Sequence, residues 1–241
     1  MKAMVLAAGM GTRLQPITLT KPKALVEING TPMLEIILKK VIRSGFNEII
    51  VNVHHFADQI IDFLKRNNNF GASITISDET DFLLDTGGGL VKASWFFDDG
   101  KPFLVHNIDI LSNIDLRDLY NYHCSKNALA TLAIKDRKTS RSLLINNDGE
   151  LSGWKNHQTG QTIIAKGNER ELCAMPFSAI HVMDPKIFPL ITESGKFSIM
   201  DTYLRLAKDH VIQTYRHDKD FWFDIGRIEN LKEAAPYSDK V

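Results

Sequence analysis

Apolar residues follow two different periods along the first half of the chain. Short apolar, β-branched runs predict buried strands at residues 2–8, 48–53, 73–77 and 103–107. Between them, apolar positions at helical spacing predict amphipathic helices over residues 33–44 and 56–67, with Pro32 at the start of the first and Gly45 after its end. Strands that alternate with helices are typical of right-handed βαβ units and a mostly parallel sheet.

After about residue 128 the pattern changes. It predicts a strand at 128–135, and two more at 142–146 and 151–154 around the turn Asn147-Asp148-Gly149-Glu150. A further strand is predicted at 175–183, followed by a helix that opens at Asp184-Pro185 and a helix at 197–210. Because no repeat or linker interrupts the chain, we expect one α/β domain over 1–241, with a nucleotide-binding half (about 1–127) and a second half (about 128–241) that closes the site.

Charge, hydropathy and cysteine content limit the classes of binding partner that we expect. Lys+Arg and Asp+Glu both number 29, so the basic excess typical of nucleic-acid or membrane binding is absent, whereas small anions remain possible ligands. No apolar run approaches the ~20 residues of a membrane helix, and the apolar N-terminus is too short for a secretory signal. Cys124 and Cys173 lack metal-ligand spacing, which indicates free thiols. We therefore expect a cytoplasmic protein without nucleic-acid or membrane partners.

A glycine-containing loop follows the first predicted strand. Gly9 and Gly11 allow close approach of the backbone to a phosphate, and Arg13 can offer a bidentate fork to phosphate oxygens. Leu14 stands where a dinucleotide fingerprint has its third glycine, and the Gly-Lys-Ser/Thr ending of a P-loop is missing. Lys21-Pro22-Lys23 follows, and its proline can hold one lysine in a defined place. The segment predicts a phosphate site of another kind.

This opening resembles the signature of the sugar-nucleotide pyrophosphorylases, the sugar 1-phosphate nucleotidyltransferases. The resemblance covers nearly the whole chain and implies a Rossmann-like three-layer sandwich with a mostly parallel mixed sheet, of the nucleotide-diphospho-sugar transferase type. It also implies a Mg²⁺-dependent reaction that joins a nucleoside triphosphate to a sugar 1-phosphate and releases pyrophosphate. Many family members carry a C-terminal β-helix domain, which we do not expect here. The signature residues are Gly9, Gly11, Thr12, Arg13, Leu14, Pro16, Thr18, Lys21, Pro22, Lys23 and Leu25.

By this resemblance, Arg13 and Lys23 are catalytic. Lys23 also belongs to the expected sugar-phosphate site with Asn107, Ser178 and Ala179, and Asp109 and Asp224 are the expected Mg²⁺ ligands. The expected nucleotide-binding residues are Leu6, Ala8, Gly9, Gly11, Thr12, Arg13, Thr86, Gly87 and Gly88.

The glycine-rich turn 85–89, ahead of a predicted helix at 91–95, looks most like the N-acetylmuramate 1-phosphate uridylyltransferase branch. That branch implies UTP and N-acetylmuramate 1-phosphate as substrates, and a role in cell-wall metabolism. One alternative is a guanylyltransferase that acts on mannose 1-phosphate or another hexose 1-phosphate. A second alternative is a catalytically weak relative that binds a sugar nucleotide and regulates a partner. The sequence does not predict an oligomeric state.

Two positions depart from the family pattern. Ile108 precedes Asp109 where the family has glycine, and Ala179 also replaces a glycine. If the first glycine adopts a positive φ in the family, the loop must differ here, because a β-branched residue does not readily take that conformation. These departures motivate the regulatory alternative.

Overall fold

The computed structural model describes residues 1–241 and contains fifteen strands and six α-helices. The strands are β1 (Lys2–Leu6), β2 (Glu27–Ile28), β3 (Thr31–Pro32), β4 (Glu48–Val53), β5 (Ser73–Asp78), β6 (Phe103–Asn107), β7 (Ile110–Ser112), β8 (Ala130–Ile134), β9 (Arg141–Ile145), β10 (Leu151–Asn156), β11 (Thr162–Ile164), β12 (Cys173–Met175), β13 (Phe177–Met183), β14 (Ile212–Arg216) and β15 (Trp222–Asp224). The helices are α1 (Met33–Arg43), α2 (Ala57–Arg66), α3 (Asp85–Lys92), α4 (Leu116–Cys124), α5 (Ile199–Leu206) and α6 (Ile228–Ala234).

A seven-stranded sheet of order β14-β8-β13-β6-β1-β4-β5 forms the centre and draws strands from both predicted halves. Strand β13 runs antiparallel to its neighbours β6 and β8, while the other neighbouring pairs are parallel. The predicted mostly parallel, mixed sheet is therefore confirmed.

Helices cover both faces of this sheet. Alternate side chains of β1 point to opposite faces, so Val5 packs with helices α1, α2 and α4, whereas Met4 packs with α3 and α5. Each face holds its own buried apolar cluster, one of 24 residues and one of 23, so both layers of helices contribute to the core. The expected three-layer sandwich is confirmed.

Local sequence explains where the helices begin and end. Helix α1 buries Leu34, Ile37, Leu38 and Val41 at helical spacing, and Gly45 takes a φ of 89° just after its last turn. The sequence pattern did not predict helix α4. Asp115 caps the start of this helix, because its carboxylate accepts hydrogen bonds from the backbone N–H groups of Arg117 and Asp118.

The predicted strand at 175–183 is instead two strands. Pro176 has no N–H to donate, so pairing stops there: β12 joins the small antiparallel sheet β11-β10-β9-β12, and β13 joins the central sheet. The predicted hairpin is confirmed as β9 and β10, with Gly149 at a φ of 77° in its turn. The helix predicted at Asp184-Pro185 is a 3₁₀ helix, Pro185–Leu190, and the helix predicted at 197–210 is the shorter α5.

Cys124 and Cys173 are both free and exposed. No helix combines the length and apolar character needed to cross a membrane.

Candidate active site

The carboxyl ends of strands β1, β4 and β6 open into a cleft of about 290 Å³. Ligands of open α/β sheets bind at this edge, because loops leave it where the strand direction ends. Seven of the predicted site residues line the cleft: Leu6, Ala8, Gly9, Lys23, Thr86, Asn107 and Asp109. Three other predicted residues, Gly11, Thr12 and Arg13, follow Gly9 in the same loop. Asp224 reaches the cleft through the contacts with Asp109 that are described below.

Asn52, at the end of β4, holds the backbone that leaves β1. Its side-chain oxygen accepts hydrogen bonds from the N–H groups of Ala7, at 2.7 Å, and Ala8, at 3.3 Å. Strand β1 therefore ends at Leu6, two residues before the predicted strand does, and the chain turns into the glycine loop. Gly9 is exposed, and a Cβ at that residue would meet no atom within 4 Å. The backbone at Gly9 is open to a ligand.

The glycine loop packs against the segment that carries Lys23. Gly11 has a φ of 66°, and a Cβ there would lie 2.9 Å from both the Lys23 Cβ and the Thr18 Cγ2. Thr18 donates its hydroxyl to the Gly11 carbonyl oxygen at 2.8 Å. Lys23 begins a 3₁₀ helix after Pro22 and is 8% exposed. The glycine and the lysine of the predicted signature therefore fix each other's position.

Lys23 and Asp109 form an ion pair at the floor of the cleft. The Lys23 Nζ donates to Asp109 Oδ2, and both side chains are largely buried. Asp109 lies two residues after the end of β6, so the central sheet positions the carboxylate, whereas the packed loop positions the ammonium group of Lys23. This brings together one predicted catalytic residue and one predicted metal ligand.

A two-stranded sheet brings Asp224 to the same place. Strand β15 pairs with β7 so that Asp224 lies opposite Ile110, and the Ile225 N–H donates to the Asp109 carbonyl oxygen at 2.8 Å. The Gly226 N–H donates to Asp224 Oδ1 at 2.9 Å. A Cβ on Gly226 would stand 2.8 Å from Asp224 Oδ1 and 3.2 Å from Asp109 Oδ2. Both carboxylates therefore converge on one point, although 115 residues separate them in the sequence.

Arg13 completes this cluster from the glycine loop. Its Nη1 lies 3.5 Å from Asp224 Oδ2, and its Nη2 is 2.9 Å from the position of a Cβ on Gly226. The Arg13 side chain is about half exposed, so the guanidinium can reach a ligand from this position. Two cations and two carboxylates thus meet beside the cleft.

The donor set fits a magnesium ion in chemical type. Mg²⁺ prefers oxygen ligands and is usually held by one or two carboxylates, with water and substrate phosphates as its other ligands. Asp109 and Asp224 supply two such carboxylates. No group of three or more His, Cys, Asp or Glu residues is arranged to hold a metal ion, so the protein would contribute only part of the coordination shell.

A family model described as Nucleotidyl transferase matches residues 2–240. The chain belongs to the nucleotidyl transferase family. It is 30% identical to an N-acetylmuramate alpha-1-phosphate uridylyltransferase of Neisseria meningitidis serogroup B, over 97% of this chain and 96% of that one. It is also 30% identical to a UTP–glucose-1-phosphate uridylyltransferase of Synechocystis, over 97% of this chain but only 62% of the relative's length. A mannose-1-phosphate guanyltransferase of Kluyveromyces lactis is 26% identical, over 96% of this chain and 63% of the relative.

Solved structures have the same fold. A UDP-glucose pyrophosphorylase complexed with UDP-glucose superposes with a TM-score of 0.77 at 18% identity, covering 99% of this chain and 98% of that one. An inositol-1-phosphate CTP transferase from T. maritima superposes with a TM-score of 0.79 at 14% identity, over 99% and 95% of the two chains. The nucleotidyl transferase has the nucleotide-diphospho-sugar transferase fold that the sequence resemblance implied.

The departure at Ile108 does not disturb the backbone of this nucleotidyl transferase. Ile108 is absent from the residues with positive φ, its side chain is 2% exposed, and its N–H donates to the Leu6 carbonyl oxygen at 3.1 Å. The loop before Asp109 therefore has no need of a glycine here. The expectation that a positive φ would force a different loop does not apply.

At Ala179 the opposite holds. Ala179 has a φ of 55° and lies where the pairing of β13 with β8 shifts register between Phe177 and His181. An irregularity of this kind bends a strand and turns its side chains, and glycine is the residue that adopts positive φ without cost. The chain keeps the conformation that a glycine would favour and adds a methyl group to it.

Ser178 is fully buried in the structure. Its hydroxyl lies 2.8 Å from His217 Nε2, and its carbonyl oxygen accepts a hydrogen bond from Trp222 Nε1 at 2.9 Å. The side chain is thus held inside the protein and does not line the cleft. A direct contact of Ser178 or Ala179 with the sugar phosphate stays a prediction.

The glycines of the predicted turn lie inside helix α3, which begins at Asp85, so the predicted helix at 91–95 begins earlier in the structure. The Gly87 N–H donates to the Phe197 carbonyl oxygen at 2.9 Å, and a Cβ on Gly87 would collide with the Phe197 ring. At Gly88 a Cβ would collide with the Gly195 carbonyl oxygen. These glycines allow close packing of α3 against the segment 195–197. Their contact with the nucleotide stays a prediction, whereas Thr86 lines the cleft.

Three polar residues that line the cleft, Asn52, Glu79 and Lys196, are outside the predicted site. Glu79 is fully buried, accepts a hydrogen bond from Asn52 Nδ2 at 2.8 Å, and receives the Leu84 N–H at 3.1 Å. Lys196 is exposed at the cleft edge and adds a third cation. Asn52 could have been found by the same rule that selected Asp109, because both are polar residues at the carboxyl end of a parallel strand. The same rule covers Glu79, which directly follows the parallel strand β5. Lys196 lies in a loop without a sequence signal.

Proposed function

We propose that this chain is a Mg²⁺-dependent nucleotidyltransferase that condenses a nucleoside triphosphate with a sugar 1-phosphate to an NDP-sugar and pyrophosphate. The observation that carries this proposal is the convergence of Lys23, Arg13, Asp109 and Asp224 beside a glycine loop. Phosphoryl chemistry needs this combination, because a cation offsets charge on phosphate oxygens while carboxylates recruit a second, metallic charge.

The reaction would be an in-line attack by a phosphate oxygen of the sugar 1-phosphate on the α-phosphorus of the triphosphate. The new P–O bond forms as the bond to the leaving pyrophosphate breaks, and no strong base is required because the nucleophile is already an anion. The main barrier is the approach of two anions, together with the charge that grows in the transition state.

Each residue then has a task that follows from its position. The exposed backbone at Gly9 would let the triphosphate approach closely, and Arg13 would contact the triphosphate oxygens from the same loop. Lys23, held by Asp109 and the packed loop, would offset charge at the reacting phosphate from a preorganised place. Asp109 and Asp224 would hold Mg²⁺, which when bound supplies positive charge to phosphate oxygens and orients them.

For the substrates we propose UTP and N-acetylmuramate 1-phosphate, and hence a role in cell-wall metabolism in the cytoplasm. Support comes from the Asp85–Gly89 sequence and from the Neisseria relative, which this chain matches over nearly the full length of both. Mannose 1-phosphate with GTP is the second candidate, favoured by the Kluyveromyces relative. A binding protein without turnover is the third candidate, although the unstrained backbone at Ile108 removes one reason for it.

Pyrophosphate release with Mg²⁺ tests these candidates directly. UTP, GTP, CTP, ATP and dTTP are each paired with N-acetylmuramate 1-phosphate, mannose 1-phosphate and glucose 1-phosphate. We expect release only when UTP and N-acetylmuramate 1-phosphate are present together. Release with GTP and mannose 1-phosphate would support the second candidate instead. Triphosphate binding without release from any pair would support the third.

A further inference from the structure

A second cavity, of about 520 Å³, has a lining that is distinct from that of the cleft. It lies between the small antiparallel sheet and helix α5. Trp154, Phe177 and Leu204 form apolar walls, and Arg137, Arg141 and Asp201 are its charged residues. This combination of aromatic side chains with polar and charged groups suits a small molecule that has both apolar and polar parts.

Arg137 is the unusual residue of this cavity. Its guanidinium Cζ lies 3.7 Å from the centre of the Trp222 ring, and its Nη2 donates to the Phe177 carbonyl oxygen at 2.8 Å. Its Nε is buried without a hydrogen-bond partner, and no carboxylate lies within ion-pair distance of the side chain. Burial lowers the pKa of Arg137 to about 10, and the charge of Asp224 only partly opposes this. A desolvated cation without a counter-ion is costly, and a bound anion would relieve that cost.

The contacts of Arg137 connect the cavity to the predicted sugar site. Phe177 precedes Ser178, and Trp222 donates to the Ser178 carbonyl oxygen at 2.9 Å, two residues before Asp224. On the other wall, Ser198 lines the cavity while Lys196, two residues earlier, lines the cleft. A substrate whose phosphate lies beside Lys23 and Asp224 can therefore extend its sugar toward Arg137.

We infer that Arg137 selects a sugar 1-phosphate that carries a carboxylate on the sugar, by accepting that carboxylate in the second cavity. This inference rests on the proposed function and deepens it by assigning the acidic substituent to a residue. The guanidinium is suited to the task, because its planar fork matches a carboxylate and Trp222 already fixes its plane. Arg141, on the same cavity wall, adds a second positive charge against the single carboxylate of Asp201.

The experiment compares two sugar 1-phosphates, one with and one without a carboxylate-bearing ether on the sugar. N-Acetylmuramate 1-phosphate carries a carboxylate on an ether at O3, and N-acetylglucosamine 1-phosphate lacks that ether. With UTP and Mg²⁺, kcat/KM is measured for both in the wild type, Arg137→Gln and Arg137→Lys. The exposed Arg170 lies outside the cavity, so Arg170→Gln serves as the matched control. Thermal melts confirm that each variant is folded.

We expect Arg137→Gln to lower kcat/KM for the acidic substrate by about 30-fold or more, the usual scale for losing one partner of a buried charge pair. The value for N-acetylglucosamine 1-phosphate, which lacks the carboxylate, should change by less than about threefold. Arg137→Lys should give an intermediate loss with N-acetylmuramate 1-phosphate, because lysine keeps the charge but loses the planar fork. Equal losses on both substrates would place Arg137 at the shared phosphate and overturn the inference. Equal use of both substrates by the wild type would also overturn it.

A binding measurement separates this inference from the proposed function. Saturation-transfer NMR detects contact of free N-acetylmuramate, which has no phosphate, with the wild type and Arg137→Gln. Signal that is lost in Arg137→Gln supports the inference even if no sugar phosphate turns over, in which case the proposed function fails alone. Turnover of sugar phosphates that lack a carboxylate, without an N-acetylmuramate signal that depends on Arg137, leaves the proposed function intact and removes the inference.

Discussion

Lys23 donates a hydrogen bond to Asp109 across a sequence separation of 86 residues, and this pair joins the glycine-loop segment to the end of β6. The two side chains are only 10% and 14% exposed, so each charge is compensated mainly by the other. A phosphate or a metal that enters the cleft must therefore engage a preorganised pair. The pair is the centre of the candidate site.

Lys23→Ala removes the cation of this pair. We expect kcat to fall by about 10²–10³-fold, the usual cost of losing one preorganised charge donor. The matched control is Lys21→Ala, because Lys21 belongs to the same motif but is partly exposed and pairs with Glu27 at 3.5 Å. Lys21→Ala should change kcat by less than about threefold, since exposed pairs contribute little. Steady-state pyrophosphate release measures both, and a loss below tenfold in Lys23→Ala would contradict the assigned role.

Asp224→Asn tests the predicted metal ligand. The amide keeps the shape of the side chain but removes its negative charge, so we expect the Mg²⁺ concentration for half-maximal activity to rise by about tenfold or more. Titration of activity with Mg²⁺ at saturating substrates measures this. Asp218→Asn is the control, because Asp218 lies in the same segment but pairs with Arg216 at the surface. An unchanged Mg²⁺ requirement in Asp224→Asn would remove Asp224 from the metal site.

Two glycines of one loop are expected to respond differently to alanine. At Gly9 the added Cβ meets no protein atom, so Gly9→Ala should leave the free energy of unfolding unchanged or raise it slightly, yet raise KM for the triphosphate by about tenfold. Gly11→Ala should lower the free energy of unfolding by more than ~1 kcal/mol, because Gly11 has a φ of 66° and an added Cβ would press on Lys23 and Thr18. Urea unfolding and KM are measured for both. An unchanged KM in Gly9→Ala would show that no ligand approaches there.

Asn52→Ala tests a residue that sequence reasoning missed. The variant leaves the Ala7 and Ala8 N–H groups without their side-chain acceptor, and the buried Glu79 carboxylate keeps only its hydrogen bond from the Leu84 N–H. An unsatisfied buried group costs about 1–3 kcal/mol, so the free energy of unfolding should fall by about 3 kcal/mol in all. KM for the triphosphate should rise as well, because the loop after β1 loses its anchor. Asn67→Ala, at an exposed asparagine, is the control and should change neither value appreciably.

Periodicity and turn residues predicted the strands of the parallel half and the helices α1 and α2 to within two residues at each end. These elements are long or strongly periodic, so local pattern is sufficient. The pattern gave no signal for the short strands β7 and β15, which are only three residues each. Their pairing brings Asp224 to Asp109, so the decisive contact of the site depends on elements too short to predict.

The sequence selected several residues of the cleft but not how they are arranged. Lys23 and Asp109 came from motif and resemblance, and the structure places both in the cleft. The packing role of the glycines in α3 could not be predicted from the sequence. Gly87 and Gly88 leave room for Phe197 and Gly195, which are more than 100 residues away in the chain. Arg137 had no motif at all. Only burial and the absence of a counter-ion single it out.

His181 gives the fold a dependence on pH that is independent of catalysis. It lies in β13 with both ring nitrogens buried and unpartnered, 5.7 Å from the Tyr203 ring and 5.6 Å from the Phe177 ring. Burial, together with a smaller effect of the neighbouring His106, lowers the pKa of His181 from its usual 6.5 to about 3. The folded protein therefore keeps His181 neutral under conditions in which the unfolded chain takes up a proton.

The sign of the effect follows from this difference in pKa. The stability contribution is fully present above pH 6.5 and is lost as the pH falls toward about 3, because only the unfolded state is protonated in that window. His181→Leu should reduce the slope of the free energy of unfolding against pH by roughly 1 kcal/mol per pH unit between pH 6 and pH 4. Urea unfolding across this range measures the slope. His210→Gln, at an exposed histidine, should keep the wild-type slope. If His181→Leu keeps it too, the acid sensitivity arises elsewhere in the molecule.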